Sequence, residues 1–326
     1  MVKISSLSTF LAQSLFLSIT LLPISKSQAE SPSPDLSNIK YGPDQHNILD
    51  FWKAASSKPT PVVVYIHGGG FTGGDKSLGA KVMPIEDYIK AGISVASIDY
   101  RLRPVPIHDI LRDCARAVQF IRYKAAEWNI DKSKIGTHGD SAGASASLWL
   151  AFHSDLADPT NADPVLKESS RPNCASANNF QYSLDVLAFE SLFARMNVTL
   201  IPEFRASVNA PGFYGLKSED DLKSPAGQKL RADCDLPNLI TKDAPPIFLS
   251  CNRVASNVAD YLHHPIHAMG MKKRCDEVGI NYIAIIPAFN ISPSAQDPQT
   301  QLQFFIKYLG KGGDSSSLTS SSTESK

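Results

Sequence analysis

The chain has 326 residues, 43% of them hydrophobic, enough for one large buried core or two modest ones. Its 32 basic and 32 acidic side chains cancel, so no net charge recommends nucleic acid or an anionic membrane surface as a partner. Eight histidines and five cysteines follow no zinc-type spacing, and neither a metal nor a cofactor is expected.

Residues 1–29 have the layout of a secretory signal peptide. Lys3 supplies the positive start, Phe10 to Leu22 an apolar run too short for a comfortable membrane span, and Ser27-Gln28-Ala29 a small-x-small cleavage site. The expected location is therefore secreted or periplasmic, with no stable membrane span. Export would permit disulfides. The five cysteines are Cys114, Cys174, Cys234, Cys251 and Cys275, an odd set, so at least one stays free or pairs outside the chain. Cys114 lies on the apolar face of a predicted helix and reads as a buried thiol. Cys174 and Cys234 flank the most loop-like region and are the expected bridge.

Residues 30–40 are Ser/Pro-rich and read as a flexible entry. The main domain is expected over 41–310. Asn47 to Trp52 is an early strand, and Ser56 to Thr60 a polar turn. Pro61 to Ile66 has the continuous apolar run of a buried strand, and His67-Gly68-Gly69-Gly70-Phe71 follows at once. Val82 to Ala91 reads as a helix and Gly92 to Tyr100 as another buried strand. From His108 to Asn129, Ile110, Cys114, Ala117, Ile121 and Ala125 recur at steps of three and four, a helical period, with Asp109 as its cap. Asp131-Lys132-Ser133 is a turn. Lys134 to Gly139 then runs into Gly139-Asp140-Ser141-Ala142-Gly143, and Ala142 to His153 continues as a helix. Alternating strands and helices predict an α/β protein with a mostly parallel central sheet flanked by helices. In such sheets ligands sit at the carboxyl ends of the strands, where both glycine-rich motifs fall.

Asp155 to Arg171 is a polar loop, and Asn173 to Asn179 a short strand. Residues 183–243 form an irregular insertion that mixes helix-like patches, such as Leu187 to Met196, with loops. Pro245 to Cys251 is a strand, His264 to Val278 a helix, Asn281 to Pro287 a strand and Gln299 to Leu309 a closing helix. Residues 311–326 read as a disordered Ser/Gly-rich tail. No internal repeat is present.

The two glycine motifs carry chemistry. A serine between glycines on a strand-to-helix corner is lifted clear of the sheet, because side chains at the flanking positions would clash. A glycine-rich turn directly after a buried strand offers main-chain N–H groups to a substrate oxygen, since no Cβ intervenes. In this order the pair resembles the α/β-hydrolase fold, and within it the hormone-sensitive-lipase-like carboxylesterases; the resemblance runs from about Tyr41 to Gly310. It implies Ser141 as the nucleophile and the amides of Gly69, Gly70 and Ala142 as the oxyanion hole. It also implies a carboxylic ester as substrate, small-molecule or polysaccharide-linked, chosen by the insertion near 183–243. Asp99-Tyr100-Arg101-Leu102 fits the same pattern, with Arg101 in a structural ion pair.

The order of a triad in this fold is Ser, then Asp or Glu, then His. Asp260 fits the acid, although the stretch from Cys251 is long and lacks the usual glycine turn. The histidine belongs after the next strand, near residues 288–295. No histidine is there; Asn290 stands in its place, and no histidine follows His267. An asparagine cannot take the serine proton at neutral pH, and a hydroxyl without a base is a poor nucleophile. Three readings stay open: an esterase whose base comes from elsewhere, a pseudoenzyme that binds esters or carboxylates without turnover, and a purely structural or interaction role. For the first, His263, His264 and His267 are the candidate substitute bases; the plainer expectation is surface histidines at the start of a helix. His67 and His138 are read as structural.

Overall fold

The computed structural model describes residues 31–185, 187–195, 210–256 and 260–311. The expected signal peptide, nearly all of the expected tail and residues 196–209 of the insertion lie outside the described residues. Eight strands form one sheet in the order β1-β2-β4-β3-β5-β6-β7-β8. They are β1 (Leu36–Lys40), β2 (Ile48–Trp52), β3 (Thr60–Ile66), β4 (Ser94–Ile98), β5 (Ile130–Asp140), β6 (Cys174–Asn178), β7 (Ile247–Ser250) and β8 (Tyr282–Ile285). β1, β2 and β4 pair antiparallel, and every pairing from β4 to β8 is parallel. Four helices matter most for the site: α1 (Ile107–Tyr123), α2 (Ala142–Phe152), α3 (Ile266–Val278) and α4 (Gln301–Leu309).

The sheet sits between two cores, and β3 shows how its sequence builds both. Val62, Val64 and Ile66 join one apolar cluster while Val63 and Tyr65 join the other, because successive strand residues face opposite sides. A strand covered on both faces needs no polar alternation, which is why this segment reads as an unbroken apolar run. α1 packs Ile110, Cys114, Ala117 and Ile121 into the first cluster; Phe304, Phe305 and Leu309 of α4 close the second. α2 is buried along its whole length, as suits an Ala-rich helix behind a central strand. β3 and β5 pair directly, Ile66 opposite Gly139, so the loops leaving these two strands emerge side by side.

Several expectations need correction. The flexible entry is in part strand β1, which gains ladder bonds with β2 between Leu36 and Lys40. The turn expected at Asp131–Ser133 lies inside β5, where the register with β3 shifts between Thr60 and Val62. The helix expected over 108–129 starts at Ile107 and breaks after Tyr123, with a short helix Ala125–Trp128 beyond it. Asp109 sits in the first turn, and the cap position is Pro106. The helix expected over 82–91 is two short ones, Ser77–Val82 and Ile85–Lys90. The described parts of the insertion are short helices, among them Ala188–Arg195, Glu219–Lys223 and Pro225–Asp233. The Cys174–Cys234 bridge is absent: all five cysteines are free and buried. Cys174 packs in one core and Cys234 in the other, with the sheet between them.

Candidate active site

β5 delivers Ser141 onto a corner that most residues avoid. Its φ is 53° and ψ −120°, a strained combination that persists only where surrounding structure enforces it. Close packing does so here. A Cβ added to Gly143 would lie 1.9 Å from the carbonyl oxygen of Ile66, so helix α2 reaches β3 only because residue 143 has no side chain. The Ser141 amide donates to Asn178 O at 2.9 Å, which ties the corner to β6.

The glycine turn after β3 lies against this corner. A Cβ built on Gly68 would stand 2.7 Å from Asp140 O and 3.4 Å from the Ser141 Cβ. Gly69 and Gly70 follow at φ of 120° and 62° and are exposed. Among the described residues, the amides of Gly69, Gly70 and Ala142 have no hydrogen-bond partner. The turn is held from behind. The His67 ring stacks on Tyr100 at 4.1 Å, and Tyr100 Oη donates to His67 O at 2.6 Å. Burial pushes the His67 ring below its ordinary pKa, so it is a neutral packing element. Asp99 accepts from Lys76 N at 2.5 Å, and Lys76 Nζ reaches Asp50 at 2.7 Å. Arg101 grips both oxygens of Asp113, at 2.7 and 2.9 Å, in the expected structural ion pair.

The loop leaving β7 supplies what the segment after β8 lacks. Asp260 to His263 is a turn closed by His263 N donating to Asp260 O at 3.3 Å. That turn brings the two side chains together: His263 Nδ1 lies 2.8 Å from Asp260 Oδ1. The other ring nitrogen, Nε2, lies 2.9 Å from the Ser141 Oγ. A carboxylate can only accept, so Nδ1 carries the proton, and Nε2 presents its lone pair to the serine hydroxyl. Ser141, His263 and Asp260 thus form one continuous hydrogen-bonded line, the geometry a nucleophile, its base and an orienting acid require. Asp140, beside the serine, is raised in pKa by burial, against the pull of the Asn178 bond and of His263.

The remaining sequence candidates go elsewhere. His264 is buried; its Nε2 lies 2.9 Å from Ala255 O, and its Nδ1 accepts from Ile266 N at 3.1 Å. Both ring nitrogens serve the backbone, which leaves none for a serine. His267 is likewise spent, between Tyr182 N at 3.0 Å and Tyr261 O at 2.6 Å, and burial lowers its pKa to about 4. His138 is fully enclosed and lowered to about 4 by burial. Asn290 ends a one-turn helix, Pro287–Phe289, at φ 54°, with no hydrogen bond to Ser141 among the described residues. The expectation of surface histidines at 263 and 264 therefore fails for both, in different ways. The signal that could have found His263 is the spacing Asp260-Tyr-Leu-His263, one turn of chain. Among the described residues no group of three His, Cys, Asp or Glu is arranged to hold a metal, and no helix is long and apolar enough to cross a membrane.

Comparison with known proteins agrees with this architecture. Residues 49–209 match the family model of BD-FAE. Carboxylesterase NlhH of Mycobacterium tuberculosis is 35% identical over 102 residues, 31% of this chain and 32% of that protein. Esterase LipC of the same species is 29% identical over 212 residues, 58% of this chain and 52% of its own. The chain spans about a third of the length of the first curated relatives it matches. Among solved structures, the acetyl ester-xyloside bifunctional hydrolase of Caldicellulosiruptor lactoaceticus superposes with a TM-score of 0.58 at 23% identity, over 77% of this chain and 85% of that one. The chain has the α/β-hydrolase fold, and its residues 49–209, just under half of it, resemble the BD-FAE family.

Proposed function

We propose that the protein is a secreted carboxylic ester hydrolase working through an acyl-enzyme on Ser141. The observation that carries this reading is the line from Ser141 Oγ to His263 Nε2 at 2.9 Å and from His263 Nδ1 to Asp260 at 2.8 Å. Ser141 Oγ attacks the ester carbonyl carbon while its proton passes to His263 Nε2. Asp260 keeps the ring in the required tautomer and stabilises the imidazolium that forms. The carbonyl oxygen becomes an oxyanion, met by the unengaged amides of Gly69, Gly70 and Ala142. The imidazolium then protonates the departing alkoxide, leaving acyl-Ser141. Water repeats the sequence, with His263 as base, and frees the carboxylate.

The similarity to carboxylesterases supports the reaction class. The substrate is read as a small-molecule or polysaccharide-linked ester. The alternative of an ester-binding pseudoenzyme rested on the missing histidine after β8; a ring already bonded to the serine removes its motive. Secretion rests on the layout of residues 1–29, and cell fractionation with N-terminal sequencing tests it: a chain found only inside the cell and retaining Lys3 would refute it. A fluorophosphonate probe with short p-nitrophenyl esters tests the chemistry. Labelling and turnover are expected in the natural chain, and neither in Ser141→Ala. Absence of both from the folded natural chain would overturn the assignment.

A further inference from the structure

The turn that carries Asp260 and His263 is held on its inner side by Tyr261, which is buried and whose carbonyl lies 2.6 Å from His267 Nε2. The next residue, Leu262, is 44% exposed, so it gains little grip from packing. What anchors residue 262 is its carbonyl: Gln181 Nε2 donates to Leu262 O at 2.8 Å. Gln181 is buried and is itself locked in place. Its amide N–H donates to Ser145 Oγ at 3.0 Å, and Ser145 Oγ donates back to Gln181 Oε1 at 2.9 Å. Ser145 is fully buried on α2, one turn beyond the nucleophile, and its N–H donates to Ser141 O at 3.0 Å. The chain of bonds therefore runs from the residue carrying the nucleophile, through Ser145 and Gln181, to the residue preceding His263.

We propose that Gln181 is a positioning residue for the base, fixing the His263-bearing turn against the helix that carries Ser141. This rests on the reading of His263 as base. The physical case is that a locally built acid–base pair lacks the rigid strand that would otherwise aim it. An apolar side chain at 181 would leave the Leu262 carbonyl without its donor and release the turn from α2. Misplacement of a reacting group by about 1 Å is enough to cost roughly 100-fold in rate. A glutamine that only stabilised the fold would instead act whether or not residue 263 were a histidine.

That difference sets the test, made on the full chain. Gln181→Met keeps length and bulk but removes the donor. Turnover of p-nitrophenyl acetate and the rate of fluorophosphonate labelling are measured with it, with His263→Ala and with the double variant. Expected is a fall in kcat of roughly 10- to 100-fold for Gln181→Met with KM within about twofold, and less than about twofold further loss when His263→Ala is already present. An equal loss in both backgrounds, or no loss with His263 intact, overturns the proposal while the base reading stands. A His263→Ala variant as fast as the natural chain overturns both together. Should Gln181→Met not fold, Ser145→Ala takes its place, since alanine suits a buried helix. Its expected loss is roughly threefold in kcat, again only with His263 present; an unchanged kcat in folded Ser145→Ala overturns the proposal.

Discussion

The loops that leave β7 and β8 carry unequal loads. The β7 loop brings Asp260 and His263 together within one turn, and the His263 ring reaches across to Ser141. The β8 loop closes on itself. Ile286 and Ile291 form a bridge, bonded at 2.9 and 3.2 Å, and Asn290 caps the tight turn between them. The order that the sequence resemblance implies puts the acid after the first of these strands and the histidine after the second. The difference teaches that the chemistry asks for a ring nitrogen at a point in space, and neighbouring strand ends of a parallel sheet can each supply it.

The sharpest way to break this comparison is His263→Ala. Losing the base is expected to lower kcat about 10⁴- to 10⁶-fold, measured on a short p-nitrophenyl ester, with folding checked by circular dichroism. Activity surviving at near the natural level would return the role to another residue. Asp260→Asn comes next, at roughly 10⁴-fold, because an amide can donate to the ring and favour the wrong tautomer. A third prediction concerns acid. Burial lowers His138 and His267 to about 4, from an ordinary 6.5. The unfolded chain then takes up protons first as pH falls, so stability drops from about pH 6.5 toward 4, by on the order of 3 kcal/mol for each ring. His267 also accepts the Tyr182 N–H and donates to Tyr261 O, so the β7 loop should loosen over the same range. Urea midpoints at pH 7 and pH 4.5 read the effect, and a flat profile would contradict it. The smallest effect is expected at Asn290→Ala, a change in kcat/KM of less than about twofold; a large loss would mean that the β8 loop takes part after all.

Much of the nucleophile's half was legible because sterics leave it few choices. Gly143 cannot bear a side chain against Ile66 O, and the buried run of β3 has to be covered on both faces. Such constraints write themselves into residue type. The base left a fainter mark. A histidine three residues after an aspartate is common on surfaces, and what makes this pair chemical is a fold-level fact, the nearness of the β7 loop to the elbow. Gln181 was invisible for the same reason, since its partners Ser145 and Leu262 are 36 and 81 residues away. β1 escaped notice because an edge strand with only one neighbour needs little apolar patterning, and its exposed positions, Ser37, Asn38 and Lys40, are all polar. The cysteines misled by context: the bridge was expected from the export-like layout of residues 1–29, whereas the sheet itself separates the two thiols.

Those five enclosed thiols give the fold a built-in reporter. Burial raises each of their pKa values, Cys275 to about 12, and thiolate is the form that reacts with alkylating reagents. Iodoacetamide should thus be nearly silent on the native chain and count several sulfurs at once when it opens, so the alkylation rate becomes a clock for unfolding that needs no substrate. It also means that refolding from denaturant requires no oxidant or shuffling catalyst.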